Sequence, residues 1–257
     1  MLGIRYSGRM ENALEFRSLT KRFGDKVAVA SLDLSLPQGS FLGLLGRNGA
    51  GKSTTLKMAT GLLRPTSGSL RILGLDIEAE PIAVKRQIGV MPEDMALLEH
   101  LTGPQYLRFV GRMYGLDETT LDQRQGELFE TLDLAPAPRA LVADYSFGMK
   151  KKLALSAALI HAPRLVFLDE PFEGIDPVTS RTIKELLLGL QSKGVTLVLT
   201  SHILEVVERL CPLIAILDQG RLIDFGPIGE MGRGVGSLES RFVELVGGAR
   251  KGELSWL

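Results

Sequence analysis

A chain of 257 residues that is 45% hydrophobic and 23% charged has an ordinary globular composition and can bury a real core, as one large domain or two small ones. Its 30 basic and 30 acidic side chains cancel, so no global field draws it to nucleic acid or to an anionic membrane surface. A single cysteine, Cys211, excludes an internal disulfide and argues against a thiolate metal cluster, and no apolar run reaches the roughly 18–20 residues of a membrane span.

Residues 1–13 read as a disordered lead-in without the apolar run of a signal peptide, which predicts a cytoplasmic protein. From Leu14 the alternation of Leu14-Glu15-Phe16, of Val27-Ala28-Val29 and of Leu32 to Leu36 predicts antiparallel strands. Phe23 sits on the turn between the first two. Such an aromatic either packs a strand end or offers its face to a purine ring.

The stretch Gly46-Arg47-Asn48-Gly49-Ala50-Gly51-Lys52-Ser53-Thr54 matches the phosphate-loop pattern G-x-x-x-x-G-K-[ST] in full. The apolar run Phe41 to Leu45 predicts the strand that delivers it, and Thr55 to Leu63 the helix that receives it. Glycines let the backbone N–H groups and the positive helix end converge on an anion. Lys52 then reaches the β- and γ-phosphates and Ser53 holds Mg²⁺.

Strands are predicted at Ser69 to Leu73 and at Ile88 to Met91, after which Pro92-Glu93 leads the chain away. Two helices follow between Leu101 and about Leu134, with Tyr106, Phe109, Val110 and Met113 on one apolar stripe and Leu121, Leu128 and Leu132 on the next. Both stripes are expected in the core. Residues 93–150 thus form a helical insertion, with a loop at Leu134 to Pro138. Ser146 caps a helix running to about His161, and its free N–H groups make a second candidate anion site.

Leu165 to Leu168 read as a buried central strand that runs into Asp169 and Glu170. Asp169 at its carboxyl end is placed to meet the Mg²⁺, and Glu170 to polarise an attacking water. Gly174 to Pro177 is a turn into a helix at Thr179 to Leu190, and the strand Val195 to Thr200 brings His202 to the same sheet edge. A helix at Ile203 to Leu210, a strand at Leu213 to Leu217 and a hairpin return at Gly220 to Gly226 follow. Residues 229–257 read as a linker and a short helix.

In this order, the phosphate loop, the Ser146-x-Gly148 helix start, the strand ending in Asp169-Glu170, the Asp176 turn and the strand-end His202 resemble the ATP-binding cassette family of ATPases over residues 14–228. The resemblance implies an α/β P-loop NTPase fold: a RecA-like parallel sheet core, an N-terminal antiparallel β subdomain and an inserted helical subdomain. It implies ATP and Mg²⁺ as cofactors, with Phe23 stacking on adenine and the loop from Gly46 to Thr54 holding the phosphates. Lys52, Glu170 and His202 would serve hydrolysis; Ser53 and Asp169 would hold the metal. Ser146, Gly148 and Asp176 would face a second cassette, which one copy of each motif requires. Phe147 stands where the family's signature carries its first glycine, and Glu93 stands where the family has a glutamine that meets the metal and the water. Leu98 to Gly103 and Tyr145 to Lys152 are similar to bacterial type-2 exporter cassettes, whose membrane permease is a separate chain; the cassette then sits on the inner face of the membrane. The competing expectation is a soluble cassette that clamps a protein or nucleic-acid assembly.

Overall fold

The computed structural model describes residues 11–134, 140–231 and 237–247. Most of the expected lead-in, all but Leu134 of the loop at Leu134 to Pro138, and the link at Gly232 to Gly236 lie outside these residues.

The chain opens with two long strands, β1 (Asn12–Phe23) and β2 (Lys26–Pro37). The separate strands expected at Val27 to Val29 and Leu32 to Leu36 are one. Ser31, at φ 49°, inserts a residue where the pairing register shifts, so the buried positions Val29 and Leu32 fall three apart and break the alternation without ending the strand. Then come β3 (Phe41–Leu45), α1 (Lys52–Ala59), β4 (Ser67–Ile72), β5 (Leu75–Asp76), α2 (Pro81–Lys85) and β6 (Ile88–Met91). Helix α1 starts three residues earlier than the sequence pattern suggests, so Lys52 and Ser53 belong to its first turn. It stops at Ala59, ahead of Gly61 in the left-handed region.

Helices α3 (Gly103–Met113), α4 (Glu118–Thr131) and α5 (Phe147–Leu159) precede β7 (Leu165–Asp169), α6 (Pro177–Ser192), β8 (Thr196–Ser201) and α7 (Leu204–Leu210). The chain closes with β9 (Leu213–Asp218), β10 (Arg221–Pro227), α8 (Ile228–Met231) and α9 (Leu238–Val246).

The core stripe expected on α3 is wrong in part. Phe109 is 46% and Met113 74% exposed, while Leu107 and Gly111 are buried. Gly111 explains the rotation: a Cβ there would lie 2.1 Å from a Leu121 methyl, so α3 turns its glycine to α4. Hydropathy periodicity does not register a glycine as a contact face.

The strands form two sheets. One is antiparallel, ordered β2-β1-β4-β5; the other is ordered β10-β9-β3-β8-β7-β6, parallel throughout except for the edge strand β10. Every residue of β3, β7 and β8 is buried. Alternate residues serve two cores: Leu42, Leu44, Leu165 and Phe167 face the antiparallel sheet and α1, while Phe41, Leu45, Val166 and Leu168 face the helical side. The parallel strands therefore share one carboxyl-terminal edge.

On the helical side, Tyr114 after α3 stacks on His161 after α5, with ring centroids 3.7 Å apart and planes 5° from parallel. His161 donates from Nε2 to the Ile88 carbonyl at 2.9 Å, its buried Nδ1 has no hydrogen-bond partner among the described residues, and burial holds its pKa below the usual 6.5. The unfolded chain therefore takes up a proton that the folded chain refuses, and this contribution to stability is full above pH of about 6.5 and is lost as pH falls below it. The thermal midpoint of the parent should drop more between pH of about 7.5 and about 5.5 than that of His161→Phe. Equal drops in paired melting curves would remove His161 as the titrating group.

Candidate active site

At the shared strand edge lies a cleft of about 450 Å³ lined by the phosphate loop, by Phe23, Lys26 and Ala28 of the β1–β2 hairpin, and by Glu93, Glu170, Glu173 and His202. The loop reaches this position because its glycines are obligatory. Gly51 has φ 106°, and a Cβ on it would lie 2.7 Å from the Ala28 carbonyl; at Gly46 a Cβ would lie 2.6 Å from the Leu217 carbonyl. Arg47, Asn48, Gly49, Gly51, Lys52, Ser53 and Thr54 line the cleft, whereas Ala50 is turned into the core. Phe23 is half exposed at the mouth, with the Lys21 ammonium 5.2 Å from its ring centroid.

Lys52 is buried, donates to the Gly46 carbonyl at 2.8 Å and stands 3.8 Å from Glu170 Oε1. Beside it, Ser53 donates to Asp169 Oδ1 at 3.4 Å. Asp169 ends β7 directly behind the loop, where Thr200 from the neighbouring strand β8 also hydrogen-bonds Oδ1. The same Thr200 hydroxyl accepts the Glu170 N–H at 3.0 Å. Two oxygen donors side by side suit Mg²⁺, which fills its remaining positions with water and substrate phosphate; among the described residues no cluster of three or more acidic, His or Cys side chains forms a metal cage by itself.

Glu170 is constrained at both its backbone and its carboxylate. Its backbone has φ 47°, in the left-handed region that costs a non-glycine residue about 1–3 kcal/mol. Thr200 holds its N–H, and the Lys151 ammonium donates to its carbonyl at 2.5 Å. Its carboxylate lies between Lys52 and His202, whose Nδ1 donates to Oε2 at 3.1 Å; the facing carboxylate assigns the proton to that nitrogen.

Glu93, just past β6, lines the same cleft. Burial, then the Asp169, Glu173 and Glu170 carboxylates, pushes its carboxyl above the usual range. Burial also lowers the Lys151 ammonium, while the surrounding carboxylates act in the opposite sense.

Ser146, Gly148 and Asp176 do not line the cleft and form a separate group. Ser146 caps α5 by accepting the Met149 N–H, and Asp176 caps α6 through Val178 and Thr179. Those bonds, the Thr179 hydroxyl first, hold the Asp176 carboxyl below the usual range. A Cβ on Gly148 would lie 3.7 Å from Asp176 Oδ2, so the two helix starts adjoin.

Sequence reasoning missed Thr200, Glu173 and Lys151. Thr200 is a polar residue in a strand buried along its whole length, which is a readable signal. Lys151 looks like one of three surface lysines, yet the run splits: Lys150 pairs with Glu99 at the surface, Lys152 reaches the Asp133 carbonyl, and Lys151 is 1% exposed.

Comparison with known proteins agrees with this architecture. The family model described as ABC transporter matches residues 29–173. The linearmycin resistance ATP-binding protein LnrL of Bacillus subtilis is 39% identical over 213 residues, covering 83% of this chain and 68% of LnrL. The daunorubicin/doxorubicin resistance ATP-binding protein DrrA of Streptomyces peucetius is 38% identical over 225 residues, covering 88% of this chain and 68% of DrrA. Among solved structures, an ATP binding subunit of an ABC transporter superposes with TM-score 0.86 at 32% identity, covering 91% of this chain and 100% of that one. The dimeric cassette MJ0796 with ADP and Pi, at 22% identity and TM-score 0.76 over 83% of this chain and 98% of its own, shares the fold. With the family model over more than half its length and relatives this similar, the chain belongs to the ABC transporter family, as an ATP-binding cassette.

Proposed function

We infer that this chain is the ATP-hydrolysing subunit of an exporter, working as a pair of cassettes beneath a separate membrane permease. The observation that carries the reading is Glu170, a buried carboxylate held between the phosphate-loop lysine and a strand-end histidine in the cleft that the loop lines. Residues 14–228 act as the ATPase unit, with 93–150 as its helical insertion and 229–257 as an appendage. Among the described residues no helix is long and apolar enough to cross a membrane, so attachment to the inner membrane face would pass through the permease. Exported or resisted compounds name several relatives, including the Nod factor export ATP-binding protein I of Cupriavidus pinatubonensis, 39% identical over 213 residues.

The loop N–H groups and Lys52 bind and orient the triphosphate of ATP, and the exposed face of Phe23 receives the adenine. Ser53, Asp169 and Glu93 would hold Mg²⁺, which offsets phosphate charge when bound. Glu170 accepts the proton of the attacking water, and His202 fixes the carboxylate that does so. Lys52 offsets the charge that develops on the γ-phosphate oxygens. Ser146 and Gly148 lie off the cleft in their own chain, so they complete the site of a second cassette, with Asp176 beside them.

Glu170→Gln should lower ATP turnover by at least about 100-fold while ATP still binds and gel filtration shows an ATP-dependent dimer. Turnover at the parental rate would exclude Glu170 as the base. Glu93→Ala should lower turnover roughly 10-fold by loosening the metal and water contacts, and unchanged turnover would take Glu93 out of the site. Affinity purification from detergent-solubilised native membranes should recover a polytopic membrane protein in stoichiometric amount. Recovery of soluble proteins alone, with ATPase activity intact, would overturn the exporter reading in favour of a soluble clamp.

A further inference from the structure

Lys151 is among the largest fully buried side chains of the protein, and a buried ammonium is costly unless its hydrogens and charge are matched. Its Nζ donates to the main-chain carbonyl of Glu170, the residue with the left-handed backbone. One helical turn earlier on the same face, the Phe147 ring lies over that ammonium, 5.5 Å from Nζ to centroid. The ring also abuts Gly174, where a Cβ would lie 2.9 Å from a ring carbon, and Gly174 itself has φ 70°. Two side chains from the first turns of α5 thus grip both ends of the turn from Glu170 to Gly174. Ser146 and Gly148 lie on that same first turn.

We propose that Phe147 and Lys151 are positioning residues: Lys151 pins the Glu170 carbonyl and Phe147 pins Gly174, so that the start of α5 sets the aim of the Glu170 carboxylate. This rests on Glu170 being the base. The left-handed backbone at Glu170 persists because its neighbours determine it, and Lys151 supplies the hydrogen bond that fixes the direction of its carbonyl. Phe147, in the place of a family glycine, covers the ammonium that would otherwise meet water. A contact made to α5 from outside the chain, at Ser146 and Gly148, is thereby linked to the chain's own base.

The test compares Lys151→Met, Lys151→Arg and Phe147→Gly with the parent, measuring kcat and KM for ATP, the affinity for a fluorescent ATP analogue, and the melting temperature. Lys151→Met should lose roughly 10- to 100-fold in kcat with analogue affinity within about twofold of the parent, because the base is misaimed while the phosphate loop is intact. Lys151→Arg should recover most of that loss, and Phe147→Gly should fall between parent and Lys151→Met. Parental kcat in Lys151→Met, or a loss of affinity that matches its loss of kcat, overturns the proposal, as does a Lys151→Arg no better than Lys151→Met. Should Lys151→Met fail to fold, the exposed-site variant Phe147→Gly decides: lowered kcat at unchanged affinity supports the proposal and unchanged kcat overturns it. Parental turnover in Glu170→Gln would instead bring down the base assignment itself; an inactive Glu170→Gln beside a fully active Lys151→Met brings down only the positioning.

Discussion

A strand buried on both faces has only its ends left for chemistry, and three such strands, β3, β7 and β8, form the middle of the parallel sheet. Parallel pairing puts all their carboxyl ends at one edge. The phosphate loop, Asp169-Glu170 and Ser201-His202 stand at those three ends, so the sheet alone brings Lys52, Ser53, Asp169, Glu170 and His202 to one place. The register Asp169↔Thr200 then sets one residue of each partner opposite the other, and the Thr200 hydroxyl ties Asp169 and Glu170 together from there.

The site concentrates negative charge and manages it with two buried lysines. Glu93, Glu170 and Glu173 line one cleft with Asp169 behind the loop, and the raised Glu93 carboxyl reports their repulsion on top of burial. Lys52 answers from the loop and Lys151 from α5. They act on different groups: Lys52 faces the Glu170 carboxylate, whereas Lys151 is spent on the Glu170 main chain. A charge used on a carbonyl leaves the carboxylate free to meet water, and it gives a strained backbone a second fixed point.

Helix α5 joins what the cleft needs to what lies outside it. Its cap Ser146 and the adjoining Asp176 stand apart from the cleft, yet five residues past the cap, at Lys151, the same helix holds Glu170. The rotation of α3 follows from a comparable close approach, with Gly111 against Leu121 leaving Phe109 and Met113 exposed on the helical side. In both places packing, rather than hydrophobic content, decides which face of the helix turns inward.

Features written along a few consecutive residues were determined by the sequence alone. The loop glycines, the apolar run into Asp169-Glu170 and the Ser146 cap each act through neighbours in the chain, and the order of these motifs was enough to identify the fold class. What spans the chain was decided by tertiary structure. The bulge at Ser31 merged two expected strands, because strand continuity depends on a pairing partner and not on unbroken alternation. Lys151 joined the site only through the rotation of α5, and Thr200 met Asp169 only through the pairing of β7 with β8, and no local pattern carries the rotation or the pairing. A lysine in a basic run reads as solvated until the fold shows which ones the helix turns inward, since burial is set by the neighbours a side chain acquires and not by its own chemistry.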